Sequence, residues 1–491
     1  MTHQDSSHPD LSQPDPSPRD LPPADAAGAA PLVPSGPPMR DEDGGLHPDF
    51  VAAVEAAVRG ADSAFLEEVV ADLHEADLGN LIEAIAPELR PRLVELTKAE
   101  FDFSALNEVD DAVREEILEE LAPQTVAEGV RDLESDDAVE LLQDLPEEEQ
   151  AEILERLPPS ERVALENILD YPENAAARRM QTEFIAVAPD WTVGRVIDFL
   201  RETPVLPEKF YEIYVVQAGG RLAGAVALDA LLRANRPVGI AELMQDEVRS
   251  VAATDDQADV ARMFGKYNLV AAPVVDDGGR LLGVITIDDV VDVIEQEAEE
   301  DIKALGGVTH DEELSDTVWT ITRGRFNWLL VNLATAFLAS SVLGLFEGQL
   351  EQMVALAVLA PIVASQGGNA ATQTMTVAVR ALATRELRAG NAVRVVLRET
   401  LVGLLNGIGF ATLTGIAAAL WFKSPGLGVV IGLAMVCNLV AGALGGILVP
   451  LAIDRAKGDP AVASGVFVTT ITDVVGFFSF LGIATLWFGL K

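Results

Sequence analysis

The sequence predicts a multidomain membrane protein: an α-helical superhelical N-terminal domain, an α/β tandem repeat, a connecting helix and a polytopic α-helical membrane domain of five transmembrane helices. Three observations predict it. At 491 residues the chain is too long for one domain. Its charge is uneven: of 78 acidic residues only Glu347, Glu351, Glu386, Glu399, Asp454, Asp459 and Asp473 lie beyond Thr317. And from about residue 326 the chain becomes a series of apolar runs, each long enough to cross a bilayer, which takes roughly 20 residues as a helix.

Residues 1–47 are rich in Pro, Asp, Ser and Ala. They read as a disordered tail, and no hydrophobic stretch follows the start to make a signal peptide. Over 48–177 Leu, Ile and Val recur at three- and four-residue steps, punctuated by Pro87, Pro123, Pro146 and Pro158. Short amphipathic helices broken at such intervals predict a superhelical stack. The net charge of -44 gives this soluble part a surface that repels nucleic-acid phosphates and attracts cations.

Near Arg178 the period changes, and two stretches of about sixty residues repeat one pattern. Each has a helix, a strand, a Gly-Gly hairpin (Gly219-Gly220, Gly278-Gly279), a second strand and a helix. They occupy 178–243 and 244–298. Then follows DDVVDVIEQEAEED, Asp288 to Asp301, in which Val290, Val291, Val293, Ile294, Ile302 and Leu305 form an apolar stripe. Asp289, Asp292, Glu297, Glu300 and Asp301 lie elsewhere on the same helix, which belongs to a connecting segment over 289–322. Like charges so spaced destabilise a helix by a few tenths of a kcal/mol per pair unless something neutralises them.

The membrane domain is expected over 323–491, with spans near 324–346, 352–379, 397–422, 426–453 and 461–490. Arg380, Arg385, Arg388, Arg394 and Arg398 follow the second span, and Arg455 and Lys457 follow the fourth. The positive-inside rule then places the soluble part in the cytoplasm of a plasma-membrane protein and the carboxyl terminus outside. In the second span, Pro361 and Gly367-Gly368 predict a broken helix lining a cavity, with Asn369, Gln373 and Thr374 as neutral oxygen ligands. In the fifth, Asp473 is a carboxylate at membrane depth, among Thr469, Thr470, Thr472 and Gly476. A charge there costs several kcal/mol, so it faces an ion path or a partner base, and no membrane stretch offers a base at mid-depth.

Catalytic patterns are missing: the sequence has no nucleophile elbow and no phosphate-cradling glycine loop. The single Cys437 can form no internal disulfide, and the five histidines lack zinc-ligand spacing. The protein therefore reads as no enzyme.

Two resemblances sharpen this reading. The second repeat, with Pro273-Val-Val-Asp, Gly279-Arg-Leu and Gly283-Val-Ile-Thr-Ile-Asp-Asp-Val, resembles a CBS motif, and the first is parallel in order. In CBS pairs Thr286 and Asp289 match positions that hold an adenine nucleotide, whereas the first repeat has Ala227 and Ala230 there. The chain after about residue 48 resembles the MgtE family of magnesium channels, through GGNAATQ, RALATREL, GDPAVASG and TDVVGF, and through the plug-helix-like DDVVDVIEQEAEEDI.

The resemblance implies a homodimeric, magnesium-selective channel that cytosolic magnesium closes. Asp473 takes the place of the pore aspartate and Asn369 that of the second-span asparagine. Asp289, Asp292, Glu297, Glu300, Asp301 and Asp459 match acids that bind regulatory magnesium. Gly465 stands where some relatives carry a polar residue. Magnesium sheds water reluctantly and prefers oxygen ligands, which suits such a pore. Two alternatives keep other roles for these features: a proton- or sodium-coupled divalent cation carrier using Asp473, and a membrane-anchored nucleotide sensor that transports nothing.

Overall fold

The computed structural model describes residues 39–490 except 42–43, 72, 99, 144, 205, 208, 246, 310–311, 313–316 and 389. Most of the Pro- and Asp-rich tail lies outside the described residues, but its end packs on the first domain: Met39 and Leu46 rest against the core and Arg40 pairs with Asp77.

The N-terminal domain comprises α1 (Pro48–Gly60), α2 (Ser63–Ala71), α3 (Glu75–Ala84), α4 (Arg90–Thr97) and α5 (Asp111–Glu120). It continues through α6 (Pro123–Val130), α7 (Ser135–Gln143), α8 (Glu147–Leu154) and α9 (Pro159–Leu169). Proline occupies the first turn of several of these helices, where its missing N–H costs nothing. Helices two apart pack on one another, α2 on α4, α6 on α8 and α7 on α9, which is the expected superhelical stack. Fully buried side chains such as Leu66, Leu81, Leu93, Ile117 and Leu141 fill its core. Each such side chain stabilises the stack by about 2 kcal/mol.

The tandem repeat follows as two three-stranded sheets. The first has β1 (Ala186–Val187), α10 (Val193–Glu202), β2 (Glu212–Val216), β3 (Leu222–Ala227), α11 (Leu228–Arg233) and α12 (Ile240–Leu243). The second has β4 (Val251–Ala252), α13 (Gln257–Tyr267), β5 (Ala271–Val275), β6 (Leu281–Thr286) and then α14 (Ile287–Gly306). In each sheet the short first strand runs parallel to the second, which pairs antiparallel with the third. Each hairpin turns at a glycine in the left-handed region, Gly220 at φ 79° and Gly279 at φ 72°. The second repeat shares one continuous apolar core with the N-terminal domain through Val260, Phe264, Val290 and Val293, while the first keeps its own.

Among the described residues five helices are long and apolar enough to span a membrane: α15 (Val318–Gly344), α17 (Val354–Ala383), α18 (Ala392–Trp421), α19 (Pro425–Arg455) and α20 (Pro460–Phe488). The short α16 (Glu347–Gln352) links the first two. The protein is therefore multi-pass, and an odd number of spans puts the soluble part and the end of α20 on opposite sides. The Arg-rich loops assign the soluble side to the cytoplasm.

The centre of the bundle is α19, which packs against α17, α18 and α20. Small residues allow this. A Cβ at Gly442 or Gly446 would come within 2.8 or 2.6 Å of α17 carbonyl oxygens, and one at Gly428 within 2.4 Å of the Gly415 carbonyl on α18. The same spacing explains a departure from expectation. α17 runs unbroken through Pro361 and Gly367-Gly368 rather than parting there. Gly367 serves close approach, since any side chain there would collide with Asn438 of α19.

Candidate functional site

The face that carries Asn369 and Asp473 is built by α17 and α20. Asp459 caps α20, its carboxylate accepting from the Ala461 N–H at 2.7 Å, with Pro460 at the first helical position. Within α20 the hydroxyls of Thr469, Thr470 and Thr472 donate to carbonyls one turn back. Of the three, Thr469 is exposed, Thr470 half-buried and Thr472 fully buried. Asp473 is half-buried, and among the described residues no base pairs with it and no group hydrogen-bonds to it. Asn369 and Gln373 on α17 are exposed. A Cβ at Gly368 would lie 3.9 Å from Thr472 Oγ1, so the two helices meet there. Asn369 and Asp473 are the next residues along each helix, which sets them at one level of the bundle.

The acids of α14 fall into three groups. Asp289 and Asp292 face the N-terminal domain. Burial pushes the Asp289 carboxyl up to about 7, with Asp288 and Asp137 raising it further against the Thr286 hydrogen bonds. Asp292 is raised by burial and by Glu140, with Arg179 opposing. On the other side of this joint Asp137 is pushed up to about 7 by burial, and Asp136 well above its usual range by burial and Asp289. Glu108 is raised by burial, Glu75 and Asp292. Arg179 bridges the pieces, reaching Glu140 at 3.0 Å, Gln257 at 3.2 Å and Gln296 at 2.9 Å.

Glu297 forms the second group. Burial raises its pKa, its Oε1 accepts from Gln257 at 3.3 Å, and Glu300 and Asp256 add like charge. The third group lies at the membrane surface. Asp301 is raised by burial and by Asp459, so the far end of α14 stands against the start of α20. Ala304 of α14 is buried with Ala371, Met375, Val379, Ala461 and Val468, an apolar seal at the cytoplasmic ends of α17 and α20. Gly307 ends α14 at φ 72°, where a Cβ would meet the Trp328 ring of α15 at 2.1 Å. Beside this seal a complementary contact ties α13 to the loop after α17: Asp259 pairs with both Arg262 and Arg385.

Among the described residues, no group of three or more His, Cys, Asp or Glu side chains is arranged to hold a metal ion within one protomer. The acids oppose one another across joints between elements.

The cleft expected to take a nucleotide is narrow. Thr286 is buried, its hydroxyl bonded to Asp288 and, at 2.9 Å, to Asp289, in a capping box that starts α14. The adjoining cavity of about 20 Å³ is walled by Phe184, Lys209, Phe210 and Tyr214.

Sequence reasoning missed two sets of residues. The N-terminal acids Glu108, Asp136, Asp137 and Glu140 were indistinguishable from their many solvated neighbours, since only folding brings them to α14. Asn438 is a fully buried amide in an otherwise apolar helix, and its isolation in CNLVAGALGG was the one available signal.

The fold and this arrangement define a multi-pass membrane protein whose carboxylate-bearing helix pair ends on an acid-faced cytosolic regulator. Family models agree: MgtE, a divalent cation transporter, matches residues 360–483, the MgtE intracellular N domain 73–174, and the CBS domain 240–296. The chain is 34% identical to the magnesium transporter MgtE of Thermus thermophilus over 460 residues, covering 89% of this chain and 98% of that protein. It is 34% identical to the magnesium transporter MgtE of Enterococcus faecalis, over 66% of this chain and 71% of that one. A crystal structure of the cytosolic domain of the channel MgtE in complex with ATP aligns with a TM-score of 0.46 at 33% identity, covering 50% of this chain and 99% of that one. The chain belongs to the MgtE family of magnesium transporters.

Proposed function

We propose that the protein is a magnesium-selective channel that takes magnesium across the plasma membrane and closes when cytosolic magnesium rises. The observation that carries this is Asp473, a carboxylate inside a membrane helix with no partner among the described residues of its own chain. One carboxylate per chain makes a cation site when two copies meet on a twofold axis, so the working unit is a homodimer. Two such carboxylates repel unless a divalent ion lies between them. Magnesium keeps most of its water in such a site, and Asn369 supplies a neutral oxygen at the same level.

Asp289, Asp292, Glu297, Glu300, Asp301 and Asp459 are assigned to regulatory magnesium. They sit at joints where like charges oppose each other, so a bridging ion favours the compact, sealed arrangement. The division of labour follows the boundaries given above: tail 1–47, helical domain 48–177, CBS repeats 178–243 and 244–298, connecting segment 289–322 and membrane domain 323–491. An adenine nucleotide binding at Thr286 and Asp289 must displace the aromatic walls of the cleft and the capping bonds first.

The test is single-channel current in a planar bilayer with magnesium as the only permeant cation and no proton or sodium gradient. Discrete magnesium currents are expected; flux that appears only with a proton or sodium gradient would assign Asp473 to a carrier.

A further inference from the structure

One buried polar group in the membrane domain has no part in that reading. Asn438 lies in α19, the helix that carries no pore group, and is 0% exposed. Its Nδ2 donates to the Val363 carbonyl of α17 at 2.8 Å. The same nitrogen lies 2.0 Å from where a Cβ at Gly367 would be and 2.8 Å from where one at Gly476 would be. The amide thus fills a notch formed by two missing side chains, one on each pore-bearing helix. Gly367 is two residues from Asn369, and Gly476 is three from Asp473.

Packing alone does not account for an amide here. Its Oδ1 is buried and has no hydrogen-bond partner among the described residues. An unmatched buried acceptor is destabilising, and an apolar side chain of similar size would carry no such penalty. The notch could be filled by Leu or Val with wider spacing between the helices. What an apolar residue cannot do is hold a carbonyl of α17 at hydrogen-bond distance while lying against α20.

We infer that Asn438 is the positioning residue of the ion pathway, a wedge that sets the separation and register of α17 and α20 and hence the distance between Asn369 and Asp473. The inference rests on the reading of those two residues as pore groups. A hydrated magnesium ion is recognised by oxygens at fixed positions around a near-octahedral shell. Sites of that kind tolerate displacements of only about 0.5 Å. Moving one helix relaxes discrimination between magnesium and larger, more easily dehydrated cations before it blocks conduction.

The experiment uses the full chain in a cysteine-free Cys437→Ala background, with two readouts. One is the magnesium-to-sodium permeability ratio from reversal potentials. The other is the rate of disulfide formation between Gly368→Cys and Thr472→Cys, the positions where the two helices meet. Asn438→Ala is expected to lower the permeability ratio by about tenfold and to slow cross-linking by a similar factor, the scale of one lost buried hydrogen bond. Asn438→Ser keeps a shorter donor and is expected to fall between Ala and wild type in both readouts; it decides the matter if Asn438→Ala fails to insert. Gly367→Ala is expected to disrupt the bundle and to be restored to the membrane, but not to full selectivity, by Asn438→Ala in the same chain.

Wild-type selectivity and cross-linking in the inserted Ala and Ser variants, whatever their thermal stability, overturn the inference. Asp473→Asn is measured beside them. If it too selects magnesium normally the pore reading fails; if it is impaired while the Asn438 variants are normal, only the wedge fails.

Discussion

The two polar regions of this protein solve opposite problems. Where α19 meets α17 and α20 the packing is through small residues: Gly367, Gly442, Gly446 and Gly476 let backbones touch, and the buried amide of Asn438 is wedged between them. At the cytosolic joints carboxylates confront one another, Asp289 with Asp136 and Asp137, Asp292 with Glu108, and Asp301 with Asp459. Close backbone packing has few alternative arrangements and suits a pathway whose ligand distances must not drift. Opposed carboxylates make an interface whose stability depends on what cation is present. A ligand shifts such a balance only through its different affinity for the two states, and reversing a 1:99 population takes about 5.5 kcal/mol. Several weak, water-rich magnesium sites acting together would supply that where one would not.

The sharpest way to break this contrast is to remove the membrane charge. Asp473→Asn keeps the shape of the side chain, so folding and insertion are expected to survive while magnesium uptake by a transport-deficient cell is abolished or loses selectivity. Normal selective uptake would refute the pore assignment. Asn369→Ala is expected to follow with a smaller loss: unitary current falls by a few-fold while thermal stability hardly changes, because the side chain is exposed and contributes little packing. Unchanged current together with a lower melting temperature would make Asn369 a packing residue instead.

On the cytosolic side, Glu300→Gln with Asp301→Asn is expected to leave unitary conductance untouched and to move closure to higher magnesium, by about tenfold for about 1.4 kcal/mol of lost coupling. Protease protection titrated with magnesium reads the compaction directly. A double variant that titrates like the wild type would reduce these acids to a solvated surface.

The contrast also explains what was legible in the sequence. Asp473 stood out because a lone carboxylate in an apolar run is conspicuous, and the repeat showed itself through its Gly-Gly hairpins. The five spans were readable from length and charge. Helix continuity through Gly367-Gly368 was not, because a glycine pair permits either a break or a close approach, and Asn438, which decides between them, lies 71 residues beyond Gly367. The acid pairing of the joints was equally hidden. Asp136 and Asp289 look like dozens of other acids until the N-terminal domain and the second repeat share a core.

The smallest expected effect separates the two regions by proton rather than by mutation. Asp137 and Asp289 each have a folded pKa pushed up to about 7, first by burial, against an ordinary carboxylate value of 3.8. A raised folded pKa means that the closed joint binds more protons than the opened one between those limits. The joint is therefore fully favoured below about pH 4 and loses that advantage as pH rises through about 7. In magnesium-free buffer, protease protection of the cytosolic part is expected to be weak at about pH 8 and to strengthen severalfold toward about pH 5.5. Added magnesium restores protection at the higher pH, where the carboxylates are ionised and can ligate, and adds little at the lower one. Asp137→Asn removes one of the two titrating groups and is expected to flatten the pH response while strengthening metal-free protection at pH 8. Protection that ignores pH, or that weakens as pH falls, would show that these acids are already compensated and that the cytosolic joint is as fixed as the membrane core.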